Sequence, residues 1–250
     1  MGQTHEFGTW LDETGDDVGV DEEVGLVGGR VTRGVVRVGE TVRRPAKRNS
    51  AFVRRLLAHL EERGFDGAPR YLGTDELGRE TFSYLPGDVP PDLDAAIPDA
   101  ALAHAARLIR RFHDATAGST LAGKHEVACH GDLSPCNFVF RDGVPIGIID
   151  FDAAAPGTRL EDLGYALFLW LNVGTDGAPL AEQARRIQLF CDAYGIAADV
   201  RVVDAIRDAV AANLTRLRVD GRAAADIRWW QQQLDWLDRH RDRLVELVAD

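Results

Sequence analysis

The sequence predicts an α+β fold, with strands concentrated before residue 86 and helices dominating after it. Three observations carry that expectation. Between Val24 and Leu85, short apolar runs are separated by glycine-bearing turns, and one stretch has helical spacing. From Asp99 onward, apolar residues recur at three- and four-residue intervals over long segments. A hairpin signal, Asp142-Gly143, lies between two apolar runs in the middle of that helical region.

Taken in order, residues 1–20 are rich in acids and poor in periodic apolar pattern, which predicts a flexible arm that Trp10 and Leu11 pin to the body. Val24 to Arg44 reads as strand, loop, strand, tight turn, strand, with Gly28-Gly29 and Gly34 bracketing the first loop and Gly39-Glu40 forming the turn. Glycines let a backbone approach phosphate groups closely, so Gly28 and Gly29 are candidate binding residues, with an ordinary turn as the alternative. Asn49 or Ser50 caps a helix that runs to Arg63 and stops at Gly64; its apolar face is Phe52, Val53, Leu56, Leu57 and Leu60. Ala68 to Leu72 and Glu80 to Leu85 read as two further strands around the turn Asp75 to Gly78.

Pro86 to Pro98 is a loop, and Asp99 caps a helix to His113 that presents Leu102, Ala105, Ala106, Ile109 and Phe112. After the hairpin, Glu161-Asp162 opens an apolar helix from Leu163 to Val173, acids in a first turn being favourable there. Three more helices follow. One covers Ala181 to Tyr194 and is stopped by Gly195, one carries Val203 to Leu217, and one runs from Ala224 to Val248.

Composition bounds the function. Hydrophobic residues make up 45% of the 250 positions and charged residues 28%, enough apolar material for a sizeable globular core. The net charge of −11 argues against a nucleic-acid-binding surface and is compatible with a cationic small molecule. No apolar run reaches the roughly 18 residues of a membrane span. The N-terminus has no basic start and apolar core, so the cytoplasm is the expected compartment. Cys129, Cys136 and Cys191 lack CxxC spacing, which argues against disulfides or zinc and predicts packing roles.

The chemistry is concentrated between His130 and Asp152. Asp132 and Asn137 lie five residues apart on a loop, and Asp150 follows the apolar run Ile146 to Ile149. The hairpin brings the loop and Asp150 to one end of a small sheet. Phosphoryl transfer needs a similar set: a carboxylate to orient a hydroxyl and take its proton, and an amide oxygen with a second carboxylate to hold magnesium.

His130-Gly131-Asp132 with Asn137, followed by Ile148-Ile149-Asp150-Phe151-Asp152, resembles the aminoglycoside phosphotransferase and choline kinase family. These are small-molecule kinases with a protein-kinase-like fold. The resemblance implies two lobes, 21–86 and 87–250, with ATP bound between them and a small-molecule hydroxyl as acceptor. It implies Asp132 as catalytic base, Asn137 and Asp150 as magnesium ligands, and Asp152 nearby. It makes His130 and His113 structural, and gives the backbone of Ser83, Tyr84 and Leu85 to adenine. The late helices would grip substrate, where Asp235 and Asp238 are candidates for a cationic group.

Two departures stand out. The third strand of the family carries a lysine that contacts phosphates, and here Arg43 and Arg44 occupy the region. With Val42 expected to face the core, alternation favours Arg43 for the cleft. The helix that usually supplies a partner glutamate has Arg54 and Arg55 in its middle. With these changes the segment Val35 to Pro45 resembles a trifolitoxin-immunity-like subgroup, which implies the alternative of a non-catalytic binding or immunity protein.

Overall fold

The computed structural model describes residues 23–25, 34–90 and 97–249. The expected N-terminal arm and the Gly28-Gly29 loop lie outside the described residues. Five short strands form one antiparallel sheet. They are β1 (Val24–Gly25), β2 (Val36–Val38), β3 (Thr41–Arg44), β4 (Tyr71–Thr74) and β5 (Glu80–Ser83), in the order β1-β2-β3-β5-β4. The Gly39-Glu40 turn joins β2 to β3 as expected. Between β4 and β5, the Asp75 carboxylate accepts the N–H groups of Leu77 and Arg79, a local bond that favours a turn over a longer strand. Helix α1 (Ser50–Glu62) buries Val53, Leu56, Leu57 and Leu60 in a core shared with Phe82. Burial of each such side chain contributes about 2 kcal/mol.

The rest is mainly helical: α2 (Asp99–Thr116), α3 (Arg159–Trp170), α4 (Leu180–Tyr194), α5 (Val200–Val219) and α6 (Ala224–Ala249). Helix α3 begins four residues before the expected start at Leu163. Thr158 and Glu161 form a reciprocal capping box there, each side chain taking the other's backbone N–H. Gly195 ends α4 in the left-handed conformation, as its position predicts.

Between α2 and α3 lie four strands: β6 (Val127–Cys129), β7 (Phe138–Arg141), β8 (Val144–Ile148) and β9 (Ala155–Gly157). Strands β7 and β8 form the expected hairpin, with Asp142 and Gly143 both at positive φ. The antiparallel pair β6–β9 was not foreseen, because each strand has three residues and its partner lies far along the chain. The hairpin is tied to the first lobe. Asp88, just past β5, exchanges both backbone hydrogen bonds with Phe140, at 2.8 and 2.7 Å. The Ile148 N–H reaches the Gly67 carbonyl at 2.7 Å. One hydrophobic core runs from α1 through α2 and the hairpin to α6.

Candidate active site

The loop from His130 to Asn137 is built from below by α3. The Asp162 carboxylate accepts the N–H of His130 at 2.7 Å and the N–H of Gly131 at 2.8 Å, and contacts His113 Nε2 at 3.0 Å. Burial alone would push the Asp162 carboxyl up, but the hydrogen bonds from His113 and His130 outweigh it and hold the group below its ordinary value. Gly131 sits at φ +80°, and a Cβ there would come within 2.5 Å of the Ala153 carbonyl oxygen. Trp170 on α3 donates its indole N–H to the Leu133 carbonyl at 2.9 Å.

His130 then couples the loop to the end of β8. Its Nδ1 accepts the Asp132 N–H at 3.2 Å and its Nε2 donates to the Ile149 carbonyl at 3.0 Å, which fixes the tautomer. Asn137 donates its amide nitrogen to the Asp132 carbonyl at 2.8 Å, leaving the amide oxygen as the atom it can offer a cation. The Ile149 N–H bonds the Asn137 carbonyl at 2.9 Å. Asp150 follows in the left-handed region, at φ 62° and ψ 62°. Local bonds therefore gather Asp132, Asn137 and Asp150 at one end of the hairpin.

Asn137 and Asp150 line a cavity of about 430 Å³ between the sheet and the hairpin. Its apolar walls include Val35 and Val42 on one side and Val139 and Ile149 on the other. Ser83, Tyr84 and Leu85 form one edge. Two of their N–H groups are already engaged: Ser83 donates to the Arg70 carbonyl and Tyr84 to the Glu40 carbonyl, both at 2.9 Å. Of the three, the Leu85 N–H remains for a ligand, among the described residues.

The cation in the cavity wall is Arg44, which corrects the expectation of Arg43. Val42 faces the cavity and not a closed core, so alternation along β3 turns Arg44 to the same side. Arg43 lies on the opposite face, with Nη1 3.8 Å from Asp75. Arg44 Nη2 is 2.7 Å from Asp152, and its Nη1 is 3.7 Å from Asp150. Lys47 also bonds the Asp152 carboxylate. Burial raises the Asp150 carboxyl, and the neighbouring Asp152 raises it further. Burial works the same way on Asp152, but its bond from Lys47 and the Arg44 charge prevail and hold it low. A carboxylate not singled out in the sequence, Glu80, lies behind Arg44. Glu80 stands directly opposite Arg44 in the β3–β5 register, and its Oε1 is 3.0 Å from Arg54 Nε. Asp238 is paired with Arg207 at 2.6 Å, and Asp235 accepts from Gln231 at 2.7 Å, so both already have helix-borne partners.

Comparison with known proteins agrees with this architecture. Residues 119–200 match the family described as APH, Phosphotransferase enzyme family. The trifolitoxin immunity protein of Rhizobium leguminosarum bv. trifolii is 31% identical, over 92% of this chain and 100% of that protein. The chain belongs to the APH phosphotransferase family. An aminoglycoside 2'-phosphotransferase solved with GDP superposes with a TM-score of 0.56 at 17% identity, covering 91% of this chain and 94% of the other. A macrolide 2'-phosphotransferase from Brachybacterium faecium gives 0.55 at 15% identity, with 86% of each chain covered. The fold is thus the two-lobed protein-kinase-like fold, with a small antiparallel sheet-plus-helix lobe and a larger, mainly helical one.

In this APH-family chain the donor set suits a hard cation. An amide oxygen and a carboxylate favour magnesium, which usually takes one or two protein ligands together with phosphate oxygens. Among the described residues, no group of three or more His, Cys, Asp or Glu is placed to hold a metal alone. A two-ligand site beside an apolar slot therefore fits a metal that arrives with a nucleotide. Among the described residues, no helix is long and apolar enough to cross a membrane.

Proposed function

We propose that this APH-family protein is a magnesium- and ATP-dependent phosphotransferase that acts on a hydroxyl of a small molecule. The observation that carries the reading is the placement of Asn137 and Asp150 on one cavity wall, with the Asp132 loop bonded directly to Asn137. Asp132 is the half-buried carboxylate at the start of that loop, placed to orient an acceptor hydroxyl and take its proton. Asn137 and Asp150 hold magnesium, which supplies charge neutralisation on the phosphate oxygens when bound. The slot between Val42 and Ile149 takes the base, and the Leu85 N–H with the Ser83 carbonyl gives it an edge to recognise. Arg44 stands in place of the strand lysine, on the phosphate side of the slot. Catalysis then comes mainly from positioning and fixed charge. The lobes divide near residue 86, and the acceptor meets the Asp132 loop from the helical lobe. Similar solved structures include complexes with kanamycin and gentamicin, which supports a cationic acceptor of that kind for this chain.

A second reading has its own observation. The trifolitoxin immunity protein is similar along its whole length, which supports an immunity role for this chain, and the second reading is that the chain fills it as a non-catalytic kinase-fold protein. Calorimetric titration with ATP, and with GTP as the alternative, separates the two. The phosphotransferase reading expects binding that requires magnesium, followed by transfer to a hydroxyl compound in a substrate screen, both lost in Asp132→Asn or Asp150→Asn as each role dictates. Absence of binding to either nucleotide would leave the immunity reading standing.

A further inference from the structure

Arg44 enters the cleft on a long, flexible side chain, and fixing such a chain costs rotamer entropy unless something holds it. The strand register provides the holder. Arg44 and Glu80 are Cα partners across β3 and β5. Glu80 is only 1% exposed. Its Oε2 accepts the Ser50 hydroxyl at 2.7 Å and lies 3.8 Å from Arg44 Nη2. Its Oε1 lies 3.0 Å from Arg54 Nε on α1. Ser50 is itself fixed, because its Oγ accepts the Lys47 N–H at 2.9 Å. One buried carboxylate thus sits between two guanidinium groups, Arg44 on the cavity side and Arg54 on the helix side. Arg44 stacks over the Phe82 ring at 4.9 Å, and its Nε is buried without a hydrogen-bond partner.

We propose that Glu80, neutralising Arg54 on one side, is the positioning residue that holds Arg44 ready for the phosphate groups of a nucleotide. The inference rests on the nucleotide-binding reading above. It explains why α1 can carry Arg54 where a carboxylate was expected: the carboxylate has moved to the strand facing Arg44, and the helix supplies its counter-charge. Arg44 meets the Asp152 and Asp150 carboxylates with the same guanidinium. An arriving polyphosphate offers a stronger anion, and the guanidinium turns from Asp152 to it while Glu80 stays beside Nη2 as its second carboxylate.

The test is calorimetry with ATP and magnesium together with thermal melting of the full chain. It compares wild type, Arg44→Met, Glu80→Gln, the Arg44→Met/Glu80→Gln pair, and Glu80→Gln/Arg54→Met. Arg44→Met and Glu80→Gln are each expected to weaken nucleotide binding roughly tenfold, and the pair no more than Arg44→Met alone, since Glu80 acts through Arg44. Glu80→Gln also lowers the melting temperature, because Arg54 loses its partner. Adding Arg54→Met restores melting but not affinity, a result that a purely structural Glu80 would not give. If Glu80→Gln fails to fold, the double variant with Arg54→Met carries the comparison. Full affinity in that double variant, or an equal loss from Glu80→Gln with and without Arg44, overturns the proposal. Wild-type binding that Arg44→Met leaves intact overturns this inference alone, and no binding by wild type overturns the phosphotransferase reading along with it.

Discussion

Asp150 occupies the left-handed region at φ +62°, which Asp and Asn tolerate and alanine resists by about 1 kcal/mol or more. That conformation separates two variants that would otherwise be read alike. Asp150→Asn is expected to melt close to wild type and to lose magnesium-dependent nucleotide binding, whereas Asp150→Ala loses binding and stability together. Calorimetry paired with urea unfolding checks both, and a cold-stable Asn variant that still binds with magnesium would remove Asp150 as a ligand. The cysteines give an independent check of burial. Burial pushes the Cys191 thiol up to about 12, with Asp192 adding to it, and raises the Cys129 thiol as well. A thiol with a pKa near 12 is ionised in about one part in ten thousand at pH 8. Both should stay unmodified by iodoacetamide in the native protein and react once urea unfolds it, as mass spectrometry of the labelled peptides would show. That Asp132, Asn137 and Asp150 come together was legible because their types and spacing lie within one short stretch. Arg44 was not: alternation says that Arg43 and Arg44 face opposite ways, but which face meets the cleft depends on where the other lobe sits.

Helix α3 shows how an element places a loop it does not touch in sequence. Thr158 caps it, Asp162 on its first turn receives the His130 and Gly131 N–H groups, and Trp170 at its last turn holds Leu133. On its other face, a Cβ at Gly164 would come within 2.2 Å of the Ala205 carbonyl oxygen, so only glycine lets α3 and α5 approach this closely. The early start of α3 is legible in Thr158-Arg159-Leu160-Glu161, a capping-box pattern in which Glu161 is the third helical residue and not the first. Asp162 makes a prediction about pH. Its folded-state carboxyl is depressed, so its contribution is fully present above the ordinary value of 3.8 and disappears as pH falls through the lower folded value. Urea unfolding from pH 7 down to pH 3 should show wild-type stability falling below about pH 4. Asp162→Asn is expected to be less stable by about 2–3 kcal/mol at neutral pH and to lack that part of the acid dependence. Parallel curves for the two proteins would mean that the loop is not anchored by the ionised group.

At the level of the whole molecule, the change from a strand-rich to a helix-rich part could be read from the apolar period, because periodicity is local, whereas the two lobes came from the family resemblance. The contacts that join the lobes could not be read, since they pair residues about a hundred positions apart. Asn49 is the clearest case. Either it or Ser50 was expected to cap α1, and it stands at the cap position, but its side chain makes no capping bond there. It crosses to the helical lobe and donates to the carbonyls of Asp152 and Ala154 at 3.0 and 2.9 Å. With Lys47 and Arg44 on Asp152, these bonds clamp the segment after Asp150 to the start of α1. A clamp of this kind fixes the Asp150 and Asp152 carboxylates relative to the sheet. Asn49→Ala removes the two cross-lobe bonds without removing a helix cap, which makes it a specific probe. The loss should be worth about 1 kcal/mol, so amides in 150–157 would exchange hydrogen roughly fivefold faster while those of β2, β3 and α5 keep their wild-type rates. Acceleration everywhere would mean a general loss of stability. No acceleration in 150–157 would mean that Lys47 and Arg44 hold the lobes together without help from Asn49.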